Sequence, residues 1–214
     1  MTIYNGYITR AELLREIMSS EDSAAPNAVD DEVLDNIITD ASRAVDNFCA
    51  RQFYAASETL YLDVPQPYSR SIWFGPDVLA VQAASNGDGA SMGSGNYYLW
   101  PRGAQSFAAI VLKESASLGW VGTSGGDYEG AITVAASVGY VDRAASAASS
   151  PAAGQRVIAA TRRATLIVAS AFYRKRFGQG VEAAKVTAAG VVLTPMGMPR
   201  DAAELLEPYI RHGY

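Results

Sequence analysis

The chain has 214 residues, with 17 basic and 22 acidic side chains for a formal net charge of −5. That length suffices for one generous domain or two small ones and hides roughly 70% of the unfolded surface, so a core needs no covalent staples. A single cysteine, Cys49, excludes an intrachain disulfide framework, no apolar run reaches the eighteen or so residues of a membrane helix, and the acidic balance opposes bulk binding to phosphate backbones.

The first twenty residues mix acidic, basic and polar groups, so no leader peptide is expected and the protein is expected to be soluble. Thr9-Arg10-Ala11-Glu12 has the form of a capping box, in which hydroxyl and carboxylate each satisfy the other residue's amide, and it predicts a first helix from Arg10 to Met18. The polar stretch after it, with Pro26, reads as a loop. A longer helix is predicted from about Asp30, where Asp30, Asp31 and Glu32 suit the positive end of the helix dipole. Its apolar stripe is Val33, Leu34, Ile37, Ile38, Ala41, Ala44, Val45 and Phe48, with Asp31, Asp35, Asp40, Arg43 and Asp46 mostly off it. Cys49 reads as a small buried apolar residue of the same helix.

From about Ser57 the period changes to two. Leu60, Leu62 and Val64 alternate with Tyr61 and Asp63, and the stretches 71–74, 78–81, 97–100, 109–112 and 132–134 are short, apolar and bounded by turn formers. They predict five to seven short strands. The segment from Ser85 to Asn96, rich in glycine and asparagine, reads as a turn or a longer flexible loop. Ala144 to Gly154 is a plausible linker of alanine and serine. Helical spacing returns with Val157, Ile158, Thr161, Thr165, Val168, Ala169, Phe172 and Tyr173, and ends near Gly178 after the cationic Arg174-Lys175-Arg176. Gln179 to Pro199 has no strong period and reads as an extended arm with a short strand near Val191 to Leu193. Asp201 to Glu204 again has capping-box form and predicts a short helix through Leu205 and Leu206 that Pro208 ends.

The predicted fold is therefore α+β. A bundle of three to four helices carries a β-rich insertion of five to seven short strands and an extended C-terminal arm. The expected divisions are 1–56 for the first helices, 57–142 for the β section, 143–154 for the linker, 155–178 for the third long helix, and 179–214 for the arm and last helix.

Catalytic chemistry finds little support. His212 is the only histidine and lies two residues from the end, so neither a histidine triad nor a histidine metal site is expected. Cys49 sits on a burial pattern that suits no thiolate nucleophile. There is no phosphate-binding glycine loop, and Asn86 to Gly89 lacks the spaced oxygen ligands of a calcium loop. Glu58, Asp63, Asp77, Glu114, Asp127 and Glu129 are scattered without a spacing that selects a catalytic pair. No catalytic residue, metal ligand or cofactor is predicted. What remains is surface. Trp73, Tyr97, Tyr98, Trp100 and Trp120 are candidates for subunit contact, or alternatively for a carbohydrate- or base-stacking face. Arg162, Arg163, Arg174, Lys175 and Arg176 form the densest basic feature and are candidates for interface pairs or for DNA passing nearby.

Three stretches carry a resemblance to a known family. Ile38 to Tyr54 runs a helix through Ala41-Ser42-Arg43-Ala44 into Arg51-Gln52-Phe53. The third helix ends Ala171-Phe172-Tyr173-Arg174-Lys175-Arg176, and the chain closes with Leu205-Leu206-Glu207-Pro208-Tyr209-Ile210-Arg211. In this order they resemble the head-to-tail connector, or adaptor, proteins of long-tailed bacteriophages and related gene-transfer particles, although the β-rich insertion is longer than in the compact members. The resemblance implies a structural, non-enzymatic subunit. It would assemble as a ring, expected to be twelvefold, beneath the portal vertex, with the portal protein on one side, a stopper or tail-completion protein on the other, and DNA passing through the lumen. It also implies residence in the neck of the virion, after assembly in the host cytoplasm, without contact with a membrane. Leu205, Leu206, Tyr209, Arg211 and Tyr214 are the candidate portal or subunit contacts, and a chain lacking 199–214 is expected to fold yet fail to join the portal. The alternatives are another neck component, such as a stopper or tail-completion protein, or the aromatic binding module.

Overall fold

A computed structural model describes residues 5–19, 30–65, 69–141, 157–177, 185–186, 192–193 and 197–211. The loop expected after the first helix, the alanine and serine linker, most of the arm, His212 and Tyr214 lie outside these residues. The chain forms two compact units, one of Met1–Ala50 with Ser149–Tyr214 and one of Arg51–Ala148.

Among the described residues the first unit holds four α-helices: α1 (Arg10–Ser19), α2 (Asp31–Cys49), α3 (Ala159–Phe177) and α4 (Arg200–Leu206). The capping box before α1 is formed, with the Thr9 amide donating to Glu12 Oε2 at 2.8 Å and the Glu12 amide to Thr9 Oγ1 at 3.3 Å. Asp30 caps α2 by accepting from the Glu32 amide at 3.0 Å, and Ala50 ends it in the left-handed conformation at φ 49°. Leu34, Ile37, Ile38, Ala41 and Val45 are buried as the spacing predicts, and Cys49 is fully buried. Asp35 and Ser42 are buried beside them, against expectation for the aspartate.

The face that α3 buries is built of small residues, Thr161, Ala164, Thr165, Ala169 and Ser170, with Val168 and Tyr173. Small side chains let its backbone approach α1, α2 and α4, which all pack on it. Phe172, assigned to this face by its spacing, points outward and is 37% exposed. The expected second capping box is absent. α4 begins after Pro199 without a side-chain cap, and Glu204 pairs with Arg200 at 2.9 Å instead. Pro208 lies in a 3-10 turn, Glu207–Tyr209, directly after α4. Within the arm, β6 (Lys185–Val186) pairs antiparallel with β7 (Val192–Leu193).

The second unit is one antiparallel sheet in the order β1-β5-β2-β4-β3, with β1 Ala56–Leu62, β2 Ser71–Ser85, β3 Tyr97–Trp100, β4 Phe107–Leu112 and β5 Ile132–Val138. The stretches 71–74 and 78–81, read as two strands, are parts of β2. Its first three residues pair with β4, the register shifts between Trp73 and Val78, and from Val78 onward it pairs with β5. Gly75-Pro76-Asp77 occupies the shift, where a proline removes no ladder bond that the sheet needs. Ile72, Phe74, Val78, Ile110, Leu112, Ile132, Val134 and Val138 form the core.

The Asn86 to Asn96 loop is pinned by its first residue. Asn86 Oδ1 accepts from the Val121 amide at 3.0 Å, Asn86 Nδ2 donates to Gly119 O at 2.9 Å, and Met92 returns into the core at 5% exposure. Gly87 lies so close to the facing segment that a Cβ there would fall 2.4 Å from Val121 O.

The start of this unit is tied to Asp77 and to Gly139-Tyr140. The Arg51 guanidinium bonds both Asp77 carboxylate oxygens at 3.0 Å and lies 4.4 Å above the Tyr140 ring. The Tyr140 amide donates to Gln52 O at 2.7 Å and the Gly139 amide to Asp77 O at 2.8 Å. Gly139 has φ +131°, and a Cβ on it would stand 2.1 Å from Tyr54 O. Gly139→Ala therefore combines a hard overlap with backbone strain of about 1–3 kcal/mol. Chemical denaturation is expected to show a loss at least that large, whereas Gly95→Ala, whose Cβ meets nothing within 4 Å, changes stability little.

Candidate functional site

Residues opposite one another in an antiparallel ladder share a face of the sheet. Trp73 and Trp100 both pair with Ala109, so the two indoles stand over the same alanine on the outer face. Their centroids are 5.3 Å apart at 80°, an edge-to-face contact. Trp73 is 50% and Trp100 41% exposed, while Ala109 beneath them is 1% exposed. The neighbouring row is Ser71, Val111 and Tyr98, and the Arg102 guanidinium lies 4.3 Å above the Tyr98 ring. Trp73, Trp100, Tyr98 and Arg102 thus make one outward aromatic and cationic face. Crossed indoles offer no flat platform for a base or a sugar ring, which disfavours the stacking-module reading.

The other two candidate aromatics face inward. Tyr97 is 8% exposed within the core, and burial pushes its phenol above its ordinary value of 10.0. Trp120 is half-buried against the same core and donates from Nε1 to Arg70 O at 3.1 Å. Arg70, unmarked in the sequence reading, also bonds Leu112 O at 3.1 Å and Lys113 O.

The basic cluster divides as well. In the helical unit Arg162 pairs with Glu12, and Arg163 with Glu16 at 2.9 Å, so both guanidiniums hold α3 to α1. Arg174, Lys175 and Arg176 sit in the last turn of α3, with Lys175 and Arg176 exposed. Of the C-terminal candidates, Leu206 is fully buried and Leu205, Tyr209 and Arg211 are half-buried. The Arg211 amide donates to Cys49 O at 2.8 Å. Removing 199–214 would strip Ala202 and Leu206 from the core, so such a chain is expected to lose stability as well as the candidate contacts. Among the described residues no group of three His, Cys, Asp or Glu side chains could hold a metal ion.

The likeness of this fold to solved structures is extensive. It is shared with chains of gene transfer agent particles. A chain of the virion of the native particle superposes with a TM-score of 0.62 at 14% identity, covering 100% of this chain and 94% of the other. A chain from the neck of the empty particle, computed with C6 symmetry, gives 0.61 at 13%, and one from the neck of the native particle, computed with C12 symmetry, gives 0.55 at 13%, each with the same coverage. No family model and no curated protein matches the sequence.

The fold shared with those chains includes the helical unit, and there the sequence reading missed two anchors. Arg10 Nε and Nη2 grip the buried Asp35 carboxylate at 2.5 and 2.6 Å, and Nη1 reaches the exposed Asp31 at 2.6 Å. Ser42 accepts from the Tyr7 amide at 3.2 Å and donates to Ile38 O at 2.7 Å, while Tyr7 Oη donates to Asp46 at 2.5 Å. Ser42 in the Ala-Ser-x-Ala stretch therefore ties the segment before α1 to α2. The Arg10 hydrogen bonds hold the Asp35 carboxyl below its ordinary value of 3.8 against the opposing push of burial. Burial also pushes the Glu12 carboxyl upward, but the bonds from the Thr9 amide and hydroxyl and from Arg162 outweigh it, leaving it below 4.5. A carboxyl depressed in the folded state stabilises above its unfolded value, and the contribution fades as pH falls through the folded one. Asp35→Asn is expected to lower thermal stability at pH 7 more than Asp31→Asn does, with the gap to the native chain narrowing as pH falls below about 4. Thermal unfolding followed across pH measures this, and a gap unchanged with pH would contradict it.

Proposed function

We propose that this chain is a structural head-to-tail connector subunit of a tailed phage or phage-like particle. It forms a ring, twelvefold in the reading we favour, beneath the portal in the virion neck, after assembly in the host cytoplasm. The portal protein binds one side, a stopper or tail-completion protein the other, and DNA passes through the lumen. The observation that carries this reading is the correspondence of the whole chain, helical and β units alike, with chains from particle necks of cyclic symmetry. The four helices speak for an adaptor over a stopper, for which a β-dominated fold without the bundle would be expected.

The work of such a subunit is assembly and passage, with no reaction. A net charge of −5 suits the passage, because phosphates are repelled by an acidic ring and no salt-dependent trap forms. Lys175 and Arg176 are the basic side chains left to approach DNA or a partner, since Arg162 and Arg163 are engaged within the subunit. Tyr209, Leu205 and Arg211, with Tyr214 beyond the described residues, remain the proposed portal contacts. Leu206 has a different task, anchoring α4 in the core so that they are presented.

Particles made without this protein are expected to appear in negative-stain micrographs as DNA-filled heads and unattached tails, and supplying the protein in trans should rejoin them. Tyr209→Ala should reduce joining while leaving unfolding unchanged, and Leu206→Ala should cost about 2–5 kcal/mol of stability. Normally joined particles in the absence of the protein would reject the proposal.

A further inference from the structure

Two surfaces of the β unit carry large aromatic side chains that its own fold leaves uncovered, and they differ in charge. The first is the crossed pair Trp73 and Trp100, with Tyr98 and the Arg102 guanidinium above it in the next row of the same face. Arg102 is exposed in the turn after β3 and belongs to none of the ion pairs among the described residues. Tryptophan, tyrosine and arginine carry most of the binding energy of protein interfaces, since each hides a large flat surface and keeps a polar handle.

The second is the corner where β1 ends beside the segment leading into β5. Tyr61 is 70% and Tyr128 64% exposed there. The Val64 amide donates to Tyr128 O at 2.9 Å and the Gly130 amide to Asp63 Oδ1 at 2.7 Å, which joins the two segments. Asp63, Asp127 and Glu129, all exposed, therefore stand around the two phenols. No lysine or arginine lies between Arg51 and Arg70 or between Lys113 and Arg143, so the segments that build this corner carry acids alone.

We infer that the Trp73, Trp100 and Arg102 face of one copy receives the Tyr61 and Tyr128 corner of the next. The occupant is a second copy of this chain, and the contact rests on the connector reading. β1 and β3 are the two ends of the strand order, so corner and face belong to opposite flanks of the sheet and come together between copies. Side chains make the contact, and no strand is added to the sheet. Charge selects the pairing: two corners would oppose carboxylates to carboxylates, whereas corner on face sets Arg102 against Asp63, Asp127 and Glu129. Contact between unlike patches is heterologous and repeats from copy to copy, as a ring requires.

The test uses particles assembled with full-length chains in which photoreactive p-benzoylphenylalanine replaces Trp100 or, separately, Trp73. After irradiation the expected product is a species at twice the 22.7 kDa chain mass, with the cross-link in the peptide that contains Tyr61 or Tyr128. Arg102→Glu is expected to lower the number of copies in the neck by roughly tenfold or more, and adding Asp127→Lys and Glu129→Lys to it should restore them. These side chains are exposed, so thermal unfolding should stay unchanged in both variants. Cross-linking only to a different particle protein would overturn the inference and leave the connector reading standing. So would neck rings that form without a cross-link from either position and are indifferent to Arg102→Glu. If the unmodified chain builds no neck ring, the connector reading fails and this contact with it.

Discussion

The β unit depends on one junction, where its first residues are tied to Asp77 and to Gly139-Tyr140. Arg51 holds Asp77 with both oxygens at 3.0 Å and stacks on Tyr140, and Ser106 adds a third bond to the same carboxylate at 3.0 Å. Tyr140 in turn bonds Gln52 and packs edge-on against Phe53 at 6.1 Å. A pair this shielded is costly to break, because the partner left behind keeps a charge with little water around it. Asp77 also sits where β2 changes partners between β4 and β5. One contact therefore ties the start of the unit to the point where its longest strand changes partners, and the Arg-x-Phe stretch after α2 acquires a structural reason.

The helical unit is closed in a comparable way by parts far apart in the chain. α3 receives α1 through two ion pairs and α4 through buried Ala202 and Leu206, while Arg211 returns to the end of α2. The C-terminal segment is thus part of the core as well as the proposed carrier of contacts, and its two roles fall on different residues.

Local features were legible in the sequence. The Thr9–Glu12 capping box, the stripe of α2 and the α+β class follow from spacings of three, four and two, which report on neighbours along one element. The bonds that organise the units join residues from 25 to 150 positions apart, among them Arg10 with Asp35, Arg51 with Asp77 and Arg162 with Glu12, and no period encodes them. The turn formers at Gly75-Pro76-Asp77 read as a boundary because proline normally ends a strand, whereas here it occupies a bulge. One signal for the aromatic face was present: Tyr97 and Tyr98 are adjacent on a strand and must face opposite ways, so only one of them belonged to a surface. Which one depended on a register that the sequence does not print.

The same register sets an outward pair of half-exposed indoles over a buried alanine. Cryo-electron microscopy of the vertex between head and tail in purified particles tests this account most directly. It predicts a ring of copies of this chain in contact with the portal; a neck built entirely of other proteins, in particles that carry the chain elsewhere or not at all, would contradict it.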